Sequence, residues 1–239
     1  FYTDTEGLAE KFSKLSDVRF VVAPIPFRHE LIDQADSGQR QKTVRRPLNV
    51  VCHGNARTEK GYHFLPDVVA SLWTSHVETG KLHFTIQSNF DRPFGELHIR
   101  RARRALARYP SDKVKLLTRS MTPGAYYRVL AETDIALIPY QASIYRNRSS
   151  GIFAEVLSEG KPAVVPAGTW IADQIDTSRG RAFDGPDDIA RAIAEIVDDY
   201  ENFASAAAAH VATWRRQHSP RALVSLINEH HREMIGTAR

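Results

Sequence analysis

The sequence is short of cysteine, of long apolar runs and of clustered metal ligands, and each shortage closes off a class of protein. Its one cysteine, Cys52, cannot form an internal disulfide and offers no thiolate cluster to a metal. No run of about 18 apolar residues exists, so no membrane-spanning helix is expected. No signal peptide is visible either, and a cytoplasmic location is the expectation. The ten histidines are scattered, and the adjacent pair His230-His231 would point two ways from one helix. No metal site is expected.

What is present is an ordinary globular balance. The chain has 239 residues, 42% hydrophobic, 9% aromatic and 25% charged, enough for one large domain or two small ones. It opens at Phe1 rather than Met, which leads us to expect a fragment or a processed chain. Formal net charge is +4, and the excess is local. Arg40, Lys42, Arg45 and Arg46 form one cluster, and Arg100, Arg101, Arg103, Arg104 and Arg108 form another. Such clusters suit nucleic acid, anionic lipid or a phosphate-bearing ligand, or simply a solvated helix face.

The chain then repeats one pattern. Residues 5–15 read as a short amphipathic helix and 18–23 as a strand, followed by a polar linker to residue 47. This segment is either the tail of another domain or a strand added to the next sheet. From residue 48, apolar runs at 48–52, 82–86, 114–117, 135–138, 162–166 and 180–183 alternate with helical stretches at 62–77, 94–109, 122–131, 151–159, 170–175 and 186–200. Two more helices are expected over about 201–217 and 220–235. Alternation of this kind predicts an α/β fold, a doubly wound parallel sheet with a Rossmann-like arrangement. Ligands of such sheets bind beyond the carboxyl ends of the strands. The loops there are 53–61, 87–93, 118–122, 139–149 and 166–170.

The stretch from Asp134 to Pro166 carries the chemistry. Ser149-Ser150-Gly151 opens a helix, and the unpaired N–H groups and dipole of a helix start attract phosphate. Glu155, one turn later, can accept two hydrogen bonds from a vicinal diol such as a ribose. The simpler account is that the serines only cap a helix and Glu155 is a solvated surface residue. Arg57 and Lys60 fall on the same sheet edge, so two cations would face the helix start, a plausible diphosphate site.

Three blocks together resemble the nucleotide-sugar-binding half of GT-B glycosyltransferases, close to the family 4 retaining enzymes. They are His53-Gly54-Asn55-Ala56-Arg57-Thr58-Glu59-Lys60-Gly61, the block Ala131–Tyr140, and Ser149-Ser150-Gly151-Ile152-Phe153-Ala154-Glu155-Val156-Leu157-Ser158-Glu159-Gly160-Lys161-Pro162. The resemblance covers about residues 48–236 and implies that 48–239 is the donor domain. Residues 1–47 would be a remnant of the acceptor domain plus linker. It implies that Arg57 and Lys60 hold the donor's diphosphate, that Ser149, Ser150 and Gly151 offer backbone N–H to it, and that Glu155 binds the ribose. The loop holding Thr118, Arg119 and Met121 would flank the base. Leaving-group stabilisation in this class is electrostatic, so neither metal nor other cofactor is expected beyond the nucleotide sugar itself.

The sequence departs from that family at two places. Asn147 stands eight residues before Glu155, where relatives often carry a glutamate that contacts the transferred sugar. Asn55 stands where relatives often carry the loop arginine. Asn147 and Arg148 are therefore the candidates for sugar contact, with Arg148 able to supply charge. No residue is assigned a catalytic role, because the acceptor and part of the machinery come from the other domain. The acceptor would be a glycan, lipid or small molecule, and the chain alone should bind nucleotide and turn over little. Peripheral attachment at the inner membrane face is compatible with the basic helix. Rival readings are a sugar-nucleotide 2-epimerase, a non-catalytic regulatory domain, and nucleic-acid binding by Arg100–Arg108. The last is disfavoured by the lack of interleaved exposed aromatics.

Overall fold

Apolar runs and helix caps set the order of elements. The structure is a computed structural model that describes residues 1–27, 47–90 and 96–236. The cluster Arg40, Lys42, Arg45 and Arg46, nearly all of the linker, and residues 91–95 before the second basic cluster lie outside the described residues.

The first 27 residues carry a two-stranded sheet separate from the large one. Strand β1 (Tyr2–Thr3) leads into helix α1 (Glu6–Ser13), whose Thr5 cap accepts from the Leu8 amide. Strand β2 (Val21–Val22) then pairs in parallel with β1. The alternative that this strand extends the next sheet is thus corrected. The strand expected over 18–23 is cut to two residues because Tyr2–Thr3 offers only two partners, Tyr2 to Val21 and Thr3 to Val22.

The large sheet has six strands: β3 (Leu48–Cys52), β4 (Leu82–Gln87), β5 (Val114–Leu117), β6 (Ile135–Leu137), β7 (Ala163–Pro166) and β8 (Gly180–Phe183). All pairings are parallel, in the order β5-β4-β3-β6-β7-β8. Every residue of β3, β6 and β7 is buried. Helices cover both faces, which is why these strands read as unbroken apolar runs rather than alternating ones. From β3 the chain winds outward to β5, then returns to place β6 on the other side of β3. That reversal opens a crevice beyond the carboxyl ends of β3 and β6.

Helices α2 (Leu65–Leu72), α3 (Leu97–Leu106), α4 (Pro123–Ala131), a short α5 (Ala142–Tyr145), α6 (Gly151–Ser158), α7 (Trp170–Asp173), α8 (Ile189–Asp198), α9 (Tyr200–Gln217) and α10 (Pro220–Gly236) follow. One core cluster packs β3–β5 against α2, α3 and α8 through residues such as Leu65, Phe84, Leu106 and Ile193. A second holds Ile138, Phe153, Trp170 and Trp214 on the other face. Each such side chain, fully buried, contributes about 1.5–3 kcal/mol. The helix expected over 62–77 is divided. Pro66 has no N–H to give the Tyr62 carbonyl, so residues 62–64 close a tighter turn, with Phe64 N donating to Gly61 O at 3.0 Å.

Candidate functional site

At the sheet's reversal the loops after β3 and β6 are laced together. The Gln141 amide donates to Glu59 O at 3.0 Å, and Gln141 Nε2 donates to Thr58 O at 2.9 Å. Gly61 makes this approach possible. Its φ is +68°, and a Cβ there would lie 1.7 Å from Pro139 O. The lacing sets Lys60 above the Tyr140 ring, with Nζ 5.5 Å from its centroid. Lys60 Nζ also lies so close to Gly54 that a Cβ on that residue would come within 2.6 Å of it.

Arg57 pairs with Glu59 at 3.1 Å and keeps 41% of its side chain exposed. Tyr145, just beyond, connects the cations of two loops. Burial raises its pKa, Glu59 adds to that, and the charges of Arg57 and Arg148 oppose it. The next turn brings the start of α6. Ser150 accepts from the Phe153 amide at 3.3 Å, and its hydroxyl is bonded to that of Tyr140. Gly151 is exposed, with open space where a side chain would stand. The first amides of α6 have no helical acceptor ahead of them.

The neighbouring residues face elsewhere. The Ser149 hydroxyl donates to the Asp4 carboxylate. Asn147 O accepts from Thr5 Oγ1 at 2.8 Å, and its side chain lies against Gly7 in α1, where a Cβ would come within 2.5 Å of Oδ1. Asn147 and Ser149 thus tie the loop to the first 27 residues, while Arg148 is exposed.

A cavity of about 730 Å³ opens beside the α6 start. Gly151, Ile152 and Glu155 line one wall. The Tyr126 hydroxyl donates to Glu155 Oε2, and Tyr127 donates to Oε1 at 3.5 Å. Burial raises the Glu155 pKa above its ordinary 4.5, and the two tyrosine hydroxyls partly offset the rise. Each carboxylate oxygen keeps a lone pair for another donor. Ser120, Met121 and Phe90 continue the lining, whereas Thr118 and Arg119 are exposed and outside it. Asn55, Gln87 and Asn89 complete the wall under β3 and β4.

Tyr126, Tyr127, Gln87 and Asn89 were not among the residues expected from sequence. The tyrosines had a usable signal, since they fall in the first turns of a helix that begins at a ligand-edge loop. His53 was also passed over. It is 1% exposed, and burial, with Lys60 adding to the effect, lowers its pKa to about 4. Its Nε2 lies 3.2 Å from Thr133 Oγ1, which itself donates to Val129 O at 2.8 Å, so the ring nitrogen is the donor of that pair. Among the described residues, no three His, Cys, Asp or Glu side chains gather as a metal site.

No family model matches the sequence, and no curated protein is similar enough to serve as a relative. Solved structures do share the fold. Sucrose-phosphate synthase from Thermosynechococcus elongatus superposes with a TM-score of 0.74 at 12% identity, over 99% of this chain and 58% of that one. HepE from Anabaena, in complex with UDP-glucose, gives 0.73 at 13%, over 97% and 63%. A glycosyltransferase from Rickettsia africae gives 0.73 at 12%, over 98% and 63%. The chain therefore has the fold found in GT-B glycosyltransferases. It spans about three fifths of the length of these structures.

Proposed function

We propose that this chain is the donor-binding part of a retaining glycosyltransferase that takes a sugar from a nucleoside-diphosphate sugar. The observation that carries the reading is the grouping at one crevice of an anion-seeking helix start, two cations and a partly buried carboxylate. Lys60 and Arg57, with Arg148 beside them, neutralise the diphosphate, and the amides at Ser150 and Gly151 bond its oxygens. Glu155, fixed by Tyr126 and Tyr127, takes the ribose hydroxyls. Met121 and Phe90 bound the space for the base. Asn147 keeps the loop in place from the α1 side, so sugar contact falls to Arg148.

Electrostatic stabilisation of the departing nucleoside diphosphate is the protein's share of the chemistry, and it requires neither a metal nor another cofactor. Residues 1–27 belong with an acceptor domain, which supplies the acceptor and the missing machinery. The acceptor is a glycan, lipid or small molecule. Among the described residues no helix is long and apolar enough to cross a membrane. Work at the cytoplasmic membrane face through the exposed Arg101, Arg104 and Arg108 fits a lipid acceptor.

Glu155→Gln tests the reading. Calorimetry with UDP, GDP and ADP should show about tenfold weaker binding, while inorganic pyrophosphate binding is unchanged; equal loss for both would contradict the ribose role. The pH profile adds a check. The Glu155 pKa lies above 4.5, so nucleotide affinity should fall as pH falls through that raised value, and the Gln variant should lack this component.

A further inference from the structure

A second cavity, of about 540 Å³, meets the first at Gly151, which lines both. Its walls come from distant parts of the chain: Asp4 after β1, Pro24 and Ile25 after β2, Leu223 of α10, and Ser149 before α6. A Cβ on Gly151 would meet nothing within 4 Å, so the backbone there is open to a ligand that spans the two cavities. Most of the second lining is apolar. Among the described residues Asp4 is its one charged member, and no lysine, arginine or histidine stands in it. Asp4 is half-buried, and the Ser149 hydroxyl donates to its Oδ2. A carboxylate only accepts, and each of its oxygens can take more than one bond, so Asp4 offers this cavity acceptors and negative charge.

We infer that this second cavity receives the transferred sugar and that Asp4 restricts it to neutral sugars. The inference rests on the proposed donor site. With the ribose on Glu155 and the diphosphate at the Ser150 and Gly151 amides, the sugar is the next group along. The cavity that shares Gly151 but not Glu155 is the space left for it. A neutral hexose suits both parts of the lining: its hydroxyls donate to Asp4, and its C–H face lies on Pro24, Ile25 and Leu223. A sugar that carries a carboxylate or phosphate meets like charge at Asp4, with no cation in the wall to offset it. Selection then works by repulsion as well as by attraction. Arg148 stands outside this lining, so the group that reads hydroxyls inside it is Asp4. The choice of sugar is thus made by the first 27 residues, which the Ser149 bond ties to the α6 start.

Calorimetry with UDP, UDP-glucose and UDP-glucuronic acid tests this, because the two sugars differ only in a hydroxymethyl or an ionised carboxyl group at one carbon. In wild type, UDP-glucuronic acid should bind about tenfold more weakly than UDP-glucose. Asp4→Asn, whose carbonyl can still accept from Ser149, should close that gap and leave UDP affinity unchanged. Equal affinity for the two sugars in wild type, or a gap that survives Asp4→Asn, would overturn the role of Asp4. Loss of UDP binding in a folded Asp4→Asn protein would do so too, since Asp4 would then act on the helix start through Ser149. Leu223→Trp fills the cavity from α10 and should weaken UDP-glucose about tenfold while sparing UDP. Unchanged UDP-glucose binding in that variant would put the sugar elsewhere and end the inference. Melting curves confirm the fold of each variant. Should GDP or ADP bind in place of UDP, the same sugars are tested on that base. Binding of a nucleoside diphosphate but of neither sugar conjugate would overturn this inference alone. Absence of UDP, GDP and ADP binding would overturn the donor reading, and this inference with it.

Discussion

The two edges of the six-stranded sheet treat polar side chains in opposite ways. At the amino edge the bonds close on the fold. Asp134 Oδ2 accepts from the Asn49 amide at 2.7 Å, Asn49 Nδ2 donates to Glu132 O at 3.2 Å, and Tyr200 OH reaches Asp134 Oδ1 at 3.4 Å. Lys161 Nζ donates to Ala131 O at 3.0 Å. At the carboxyl edge the bonds end on a cavity: the tyrosines hold the Glu155 carboxylate in its wall, and Gln87 and Asn89 hold Asn55 in the same wall. The strands between are equally apolar. Strand direction therefore sorts the polar residues, because the helices that directly follow the strands begin, with their unpaired amides, at the carboxyl edge.

His53 is the place to try to break this contrast, since it stands at the carboxyl edge yet is sealed. Its folded pKa, about 4, lies below the ordinary 6.5, so the fold prefers the neutral ring. Between those values the unfolded chain binds a proton that the folded chain does not. Stability should fall as pH drops from 6.5 to 4, by about 3 kcal/mol in full. Urea titrations across that range should show the slope, and His53→Leu should lose that part of it. A variant with the wild-type slope would mean the ring titrates freely and belongs to the open edge. Next in size is Asp134→Ala, which strips the Asn49 amide of its acceptor. It should cost about 2 kcal/mol of stability and leave UDP affinity unchanged. Altered affinity in a folded variant would blur the two edges.

Much of this was readable in the chain. Unbroken apolar runs such as 135–138 mark strands covered on both sides. Thr122-Pro123 and Ser150-Gly151 mark helix starts, and both hydroxyls do cap, accepting from the Ala125 and Phe153 amides. Alternation of the two kinds of element gave the parallel sheet and so the ligand edge. What could not be read depends on pairs far apart in sequence. Tyr126 meets Glu155 across 29 residues, and Asp4 meets Ser149 across 145. No local period encodes such pairs. The role of Gly61 is of the same kind: a glycine in a loop announces freedom, but the need for it here comes from Pro139 O in another loop. Strand β1 escaped notice because two residues are too few to show a pattern.

The smallest effect compares two lysines that each neighbour a glycine, Lys60 before Gly61 and Lys161 after Gly160. Lys60 lies at the open edge above Tyr140, and Lys161 is bonded to a carbonyl at the closed one. Lys60→Met keeps an apolar stem over the ring and removes only the charge. It should weaken UDP and pyrophosphate alike by about 1.5 kcal/mol, with the loss shrinking as salt rises. This is the reverse of Glu155→Gln, which separates the two ligands. Lys161→Met should leave both affinities where they were. Equal losses from the two lysines would mean that overall charge, rather than position on the sheet, draws the anion, and the distinction between the edges would then be one of solvation alone.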